Sequence, residues 1–293
     1  MKKTTPINKI LFSLLGVVFL FSSCDTKKSK KMDETYEATY AVSYLSVLPL
    51  RAEPSHRSEM VSQILFGEYL KVLETREEWS YIQLEQDTYK GWVETFQITA
   101  VTKKEYEQIT QSPKVKVLDN LTTITFDNNK LTLVKGSNLP FYSEGTFLYK
   151  GERIPYTAAV ISGNQNTENL VETAYSYINT PYLWGGKNPL GVDCSGFSQM
   201  VYHLNGHMIH RDASLQAKQG ELIAFLAEAK PGDLAFFDND KGNITHVGII
   251  LEDEKIIHAA HGKVRIDKLD QEGIYNSEEK KYTHHLRMVR RYF

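Results

Sequence analysis

Residues Thr180-Pro181-Tyr182-Leu183-Trp184-Gly185-Gly186-Lys187-Asn188-Pro189-Leu190-Gly191-Val192-Asp193-Cys194-Ser195-Gly196-Phe197 form a glycine-rich loop that ends in Asp-Cys-Ser. Beyond Cys194, the apolar residues Phe197, Met200, Val201 and Leu204 recur at helical spacing, so the loop runs into an amphipathic helix. Asp193 is the natural N-cap, which puts Cys194 in the first turn. The positive end of the helix dipole there favours a thiolate, the attacking form of cysteine. Free cysteine is also among the most buried residue types, so residue types alone leave a structural cysteine and a nucleophile equally open.

Working outward, Asn166 to Ile178 reads as a helix capped by Asn166 or Thr167 and stopped at Thr180-Pro181. After the Cys194 helix, Asn205-Gly206 is a stop, and Pro231-Gly232-Asp233 turns the chain into a strand at Leu234-Ala235-Phe236-Phe237. Thr245 to Leu251 and Lys255 to Ala260 read as two strands joined at Glu252-Asp253-Glu254. With that three-residue loop, Leu251 pairs with Lys255 and His258 lies opposite Gly248, where the missing side chain leaves room for an imidazole. His246 and His258 then share a face as diagonal neighbours, with Cα atoms roughly 7–8 Å apart. A two-residue loop would put them on opposite faces, because a one-residue slip flips every side chain.

A cysteine at a helix start with two histidines on one sheet face suggests nucleophile, base and orienting group. In that scheme Cys194 attacks a carbonyl carbon, His246 moves the proton and His258 holds the His246 ring. The Cys194 N–H and the Tyr182 hydroxyl would stabilise the oxyanion. Residue spacing alone does not prove this, since a lone strand histidine is more often structural.

The 293-residue chain has room for two or three domains, and its net charge of -2 gives no basic surface for nucleic acid. Its 41% hydrophobic and 24% charged residues are ordinary for a globular protein. Lys2, Lys3 and Lys9 precede an apolar run from Ile10 to Phe21, too short to span a bilayer, and then Ser22-Ser23-Cys24. This resembles a bacterial lipoprotein signal over 1–23, with Cys24 as the lipidated residue and a membrane as partner; Phe21 departs from the usual Leu. An ordinary secretory peptide would also export the protein. Residues 24–35 read as a polar, lysine-rich tether without structure.

Residues 36–101 alternate short apolar runs with turns, the pattern of a small barrel. The order Val47-x-x-Leu50-Arg51-x-x-Pro54, Gly67-Glu68, Val72-Leu73, Trp79-Ser80-Tyr81-Ile82, Gly91-Trp92-Val93 resembles a bacterial SH3 domain. Glu74 to Glu78 reads as a solvated turn. Residues 102–163 again read as all-β, with length and strand count for a second, divergent SH3-like barrel of unreadable role.

Pro181-Tyr182-Leu183-Trp184-Gly185-Gly186, Asp193-Cys194-Ser195-Gly196-Phe197, Arg211-Asp212 with Gln216, Pro231-Gly232-Asp233-Leu234 and His246-Val247-Gly248-Ile249 stand in the order of the NlpC/P60 family. The match covers roughly Asn166 to Phe293, within a catalytic domain read as 164–293. The resemblance implies an α+β, papain-like catalytic domain behind one or two SH3-like barrels. It further implies a cysteine peptidase of bacterial cell-wall peptides with Cys194 as nucleophile, His246 as base and His258 as third member.

SH3 units in front of such a domain resemble γ-D-glutamyl-L-diamino-acid endopeptidases, in which the first SH3 domain walls the site and holds a free N-terminal L-Ala. Carried over, the amine ligands are Asp193, Tyr89 and Glu59, with Glu53 the alternative acid; Ser195, Ser214 and Arg211 would line the site. Surface roles stay open for Ser214 and Arg211.

Competing readings are a cell-wall binding lipoprotein, an amidase or acyl-transfer enzyme on the same scaffold, and a metal site. The last fits poorly, since His258-Ala259-Ala260-His261 and His284-His285 with one thiol make no zinc pattern. No cofactor motif stands in the chain, and His203, His207 and His210 read as surface or helix-end residues.

Overall fold

The computed structural model describes residues 39–293. The expected signal, the tether and Cys24 lie outside them.

Seven strands between Tyr40 and Ala100 form one sheet. Its ladders run through neighbouring hairpins, as the alternating apolar pattern requires: Met60–Leu65 on Val47–Arg51, Tyr69–Arg76 on Trp79–Leu84, and Trp79–Leu84 on Lys90–Glu94. Leu48, Leu50, Ile64, Leu70, Ile82 and Val93 point inward and are fully buried. This is the SH3-like β domain. The Glu74 to Glu78 turn is tighter than read, because the strand continues to Arg76 and only Glu77 and Glu78 turn.

The next segment opens with a helix, Lys103–Gln111, absent from the all-β reading. Its signal is a capping box: Thr102 accepts from the Glu105 N–H at 3.1 Å. Three two-stranded ladders follow, Leu121–Phe126 with Asn129–Val134, Thr146–Tyr149 with Glu152–Pro155, and Val115–Val117 with Val160–Ser162. Their aromatic core is shared with the first domain: Phe147, Tyr149 and Tyr156 pack in one cluster with Tyr44, Phe66 and Tyr69. The segment therefore rests on its neighbour's core.

The C-terminal part is built on a second seven-stranded sheet. The long Lys281–Arg291 strand pairs with Leu234–Asp238 along one half and with Gly273–Asn276 along the other. Six of the strands thus close on themselves, with Glu221–Ile223 on the outside. The helices Thr167–Tyr175 and Cys194–Leu204 pack together, and the second also lies on strands Ile244–Ile250 and Lys255–Ala260. Asn166 caps the first by accepting from Asn169 N–H at 2.9 Å, and that helix ends at Tyr175, short of Ile178. Phe197, Met200, Val201 and Leu204 face the core with Val247, Ile249 and Ile257. Among the described residues no helix is long and apolar enough to cross a membrane.

Candidate active site

The loop from Thr180 to Asp193 is ordered by its own backbone. Lys187–Asn188 pairs with Gly191–Val192, and the Tyr182 N–H donates to Gly262 at 2.8 Å. Gly185 has φ +75°, and a Cβ there would stand 2.2 Å from the Met60 carbonyl oxygen, so only glycine lets loop and SH3-like domain touch. The loop delivers Asp193 as N-cap, accepting from Gly196 N–H at 2.7 Å, and Cys194 as first residue of the helix.

The histidine hairpin has the three-residue loop, with Asp253 and Glu254 at positive φ. Ile249 pairs with Ile257 and Ile250 with Ile256, which puts His246 and His258 on one face. His246 Nε2 and His258 Nδ1 are 2.8 Å apart, and His258 Nε2 lies 3.0 Å from Asp267 Oδ2. Arg265 clamps Asp267, at 2.8 Å from Nε to Oδ2 and 3.0 Å from Nη2 to Oδ1. Burial pushes the Asp267 carboxyl up, but the bonds from His258 and Arg265 outweigh it and hold it below the usual range.

This chain of contacts fixes the tautomers. An ionised Asp267 accepts a hydrogen bond from His258 Nε2–H, so His258 Nδ1 must accept from His246 Nε2–H. The lone pair of neutral His246 is then on Nδ1. The His284 ring stacks on His246 with centroids 4.0 Å apart.

Cys194 is 8% exposed. Burial and the neighbouring Asp193 carboxylate push its thiol up to about 12, although the Val247 and Ser195 backbone and Arg211 oppose the rise. Burial, with His284 and His258 behind it, pushes His246 well below its ordinary value. Desolvation therefore overrides the pull of the helix dipole toward a thiolate, which leaves a thiol and a neutral imidazole, as a proton transfer to His246 requires.

Two depressions meet at the thiol. One, of about 670 Å³, is lined by His246, His261, Glu279, Lys281, Tyr282 and His284. The other, of about 380 Å³, is lined by Glu59, Tyr89, Trp184, Asp212, Ser195 and Ser214. Cys194, Tyr182 and Thr245 belong to both. Burial and then Cys194 raise the Tyr182 hydroxyl, which keeps it a proton donor. Residues of the SH3-like domain supply part of the second wall: Glu59 accepts from Trp184 Nε1 at 2.6 Å, and Tyr89 Oη donates to Asp212 Oδ1 at 3.0 Å. Glu53 does not line it.

The Asp193 carboxylate is already fully engaged. Arg211 binds both oxygens, at 2.9 and 2.6 Å, and the N–H groups of Gly185 and Gly196 donate at 2.8 and 2.7 Å. These four donors fill about four acceptor directions and the Ser195 hydroxyl adds a fifth contact at 3.4 Å, leaving none for a substrate amine. Arg211 is 1% exposed and spends its other donors on Ser62 and Ser195, so it braces the wall and is not a surface residue. Ser214 stands exposed at the lip. His203, read as a surface or helix-end residue, stands in the last turn of the Cys194–Leu204 helix but is buried at 5% exposure, and His207 and His210 are half-buried. Among the described residues no cluster of three or more His, Cys, Asp or Glu is arranged to hold a metal ion.

Three contributors escaped the sequence reading. Asp267 was signalled by His261-Gly262, a two-residue turn with both φ positive, which sets Ala260 opposite Lys263 and Ile256 opposite Asp267. Asp212 and Trp184 lay inside quoted motifs, but their neighbours Tyr89 and Glu59 come from more than 120 residues away, beyond any local pattern.

The family model for the NlpC/P60 family matches residues 179–287, and that for the bacterial dipeptidyl-peptidase Sh3 domain matches residues 50–98. The chain is similar to Dipeptidyl-peptidase 6 of Lysinibacillus sphaericus, 30% identical over 252 residues, which are 76% of this chain and 89% of that relative. It is equally similar to Gamma-D-glutamyl-L-lysine dipeptidyl-peptidase of Bacillus subtilis, 30% identical over 237 residues, covering 74% and 78% of the two chains. A crystal structure of an NlpC/P60 family protein from Bacillus cereus shares the fold, with a TM-score of 0.74 at 21% identity, over 86% of this chain and 99% of that one.

Proposed function

The chain belongs to the NlpC/P60 family and is a cell-wall peptidase; from that premise we propose a cysteine endopeptidase that cuts between D-Glu, through its γ-carboxyl, and the L-diamino acid of murein stem peptides. The observation that carries the reading is the relay His246–His258–Asp267 beside a helix-initial thiol. In it, His246 Nδ1 takes the Cys194 proton as Sγ attacks the γ-carbonyl carbon. The oxyanion is met by the Cys194 N–H and the Tyr182 hydroxyl. The proton then passes to the departing amine of the diamino acid, leaving a thioester. Water, deprotonated by His246, hydrolyses the thioester and frees the γ-carboxylate.

The substrate is a released peptide with a free N-terminal L-Ala. Its ammonium would sit in the smaller depression, against Asp212, Glu59 and the Tyr89 hydroxyl. Asp193 acts there through Arg211, as the brace of the wall. Burial raises the Asp212 carboxyl despite the bond from Tyr89, the condition of a carboxylate that gains from a cation. Ser195 and Ser214 line the same depression. The relative named for γ-D-glutamyl-L-lysine supports this substrate class. The envelope location of the family and the apolar run ending at Cys24 support an exported protein lipid-anchored at Cys24.

The test is cleavage of L-Ala-γ-D-Glu-L-Lys with and without N-acetylation. The free peptide is expected to be cut at least about 100-fold faster, the loss of a charge-assisted buried contact. Equal rates would overturn the amine pocket, and activity surviving Cys194→Ala would overturn the cysteine mechanism.

A further inference from the structure

A second cavity, of about 260 Å³, lies where the SH3-like domain, the middle segment and the catalytic domain meet, with walls from residues 67–69, 85–86, 109–110, 113–116, 138–140, 203 and 208. It shares no lining residue with the peptidase cleft. Its apolar side is made by Ile109, Val115, Leu139 and Met208. Its polar side carries more positive groups than the protein pairs.

Both carboxylates at its walls are taken. Glu68 holds Lys187 Nζ at 2.9 and 3.2 Å and accepts from the Leu65 N–H and Gln86, while Glu85 accepts from the Tyr106 hydroxyl and faces Lys71. Lys114 Nζ donates to the Ile109 carbonyl. Lys116 and His203 are each 5% exposed and line the cavity; among the described residues neither side chain makes a hydrogen bond or a close ion pair, and Glu68 acts on Lys116 only at longer range. Lys116 Nζ is not sealed from solvent: it opens onto the cavity, where an anion can pair with it. Burial first and then Lys114 pull Lys116 down to about 8 against the Glu68 carboxylate, and burial with Lys116 and Lys187 holds His203 well below its ordinary value, so that it meets an anion as a neutral N–H donor.

We propose that this cavity is a ligand site separate from the cleft, for a small molecule bearing one carboxylate on a compact apolar body, with Lys116 and His203 as its anion ligands. The size is that of an amino acid or a short acid, below the range of drug-sized pockets. The site reaches the chemistry through a single element. His203 stands near the end of the helix that begins at Cys194, about 14 Å along its axis. An acid bound there presses on the far end of the element that carries the thiol.

The experiment is a thermal-shift titration of the whole protein with isovalerate, its uncharged amide isovaleramide, and inorganic phosphate. Isovalerate is expected to give a saturable rise of about 3 °C or more at ten times Kd. Isovaleramide is expected to give none, and phosphate a smaller rise. Lys116→Met is expected to lose the isovalerate shift while keeping peptidase activity within two-fold. If that variant does not fold, Lys116→Gln serves for the same comparison. The proposal is overturned if isovalerate gives no saturable shift on the wild type, if the shift survives loss of the lysine charge, or if phosphate or the amide matches it. The readout is binding, so its failure and a failure of the peptidase reading are distinguishable.

Discussion

Asp267 determines where the lone pair of His246 sits. Replaced by Asn, it can turn an NH2 toward His258 Nε2, which reverses the tautomer of His258 and then that of His246. The lone pair would move off Nδ1, the nitrogen proposed to take the thiol proton. Asp267→Asn is therefore expected to lower kcat by about 10–100-fold with little change in KM, less than the loss at a directly attached triad carboxylate because one ring intervenes. An unchanged kcat on the free-amine peptide would sink the relay. The same residues set the acid limb of the pH profile. As the proposed base, His246 can act only while neutral, and its pKa lies well below 6.5 through burial first and then its histidine neighbours. Activity should hold from neutral pH down past 6.5 and fall only well below it, as the ring gains a proton. His284→Ala opens that ring to water and should move the limb upward, toward the ordinary histidine value. A limb that stays put in this variant would show that stacking has no part in tuning the base.

Between elements, the decisive contact is the one Gly248 permits. A Cβ there would meet Ile256 Cδ1 at 2.7 Å and His258 Cβ at 2.9 Å. Gly248→Ala would therefore push His258 off its line between His246 and Asp267. Overpacking of this kind costs about 1–3 kcal/mol, which a folded domain survives. The expected result is a folded protein whose kcat is down at least about tenfold, since a small misplacement of catalytic groups is costly. Retained activity in a folded variant would show that His258 needs no exact register. The hairpin could be read from sequence because three polar residues fix its loop and the loop fixes the faces. The same rule applied at His261-Gly262 leads to Asp267, so that residue was legible too, given one more turn. The helix Lys103–Gln111 was less so: its apolar side is narrow, with only Tyr106 and Ile109 buried, and its cap was the better signal.

Across the whole molecule, the peptidase cleft depends on two domains staying joined, and that junction was opaque to sequence. Gly67-Glu68 reads only as a turn, yet Glu68 is 2% exposed and pairs with Lys187, which is fully buried in the loop leading to Cys194. Gln63 Oε1 accepts from the Lys187 N–H and the Asn188 amide, and Gln199 reaches Asp87 at 2.8 Å. These partners are more than 100 residues apart, so no periodicity reports them. Removing one member of a buried pair strands the other, at a cost of about 3–5 kcal/mol, whereas removing both can be nearly neutral. That is a large share of the roughly 5–15 kcal/mol that holds a domain folded. Glu68→Gln should therefore lower Tm by about 10 °C and reduce activity, because the loop carrying Asp193 and Cys194 loses its seat on the SH3-like domain. Adding Lys187→Met should restore most of the lost stability, since the substituted amide can still accept from the Leu65 N–H while the stranded ammonium is gone. Melting curves of the three proteins decide it: a double variant as unstable as Glu68→Gln would mean that the ion pair is not what joins the domains.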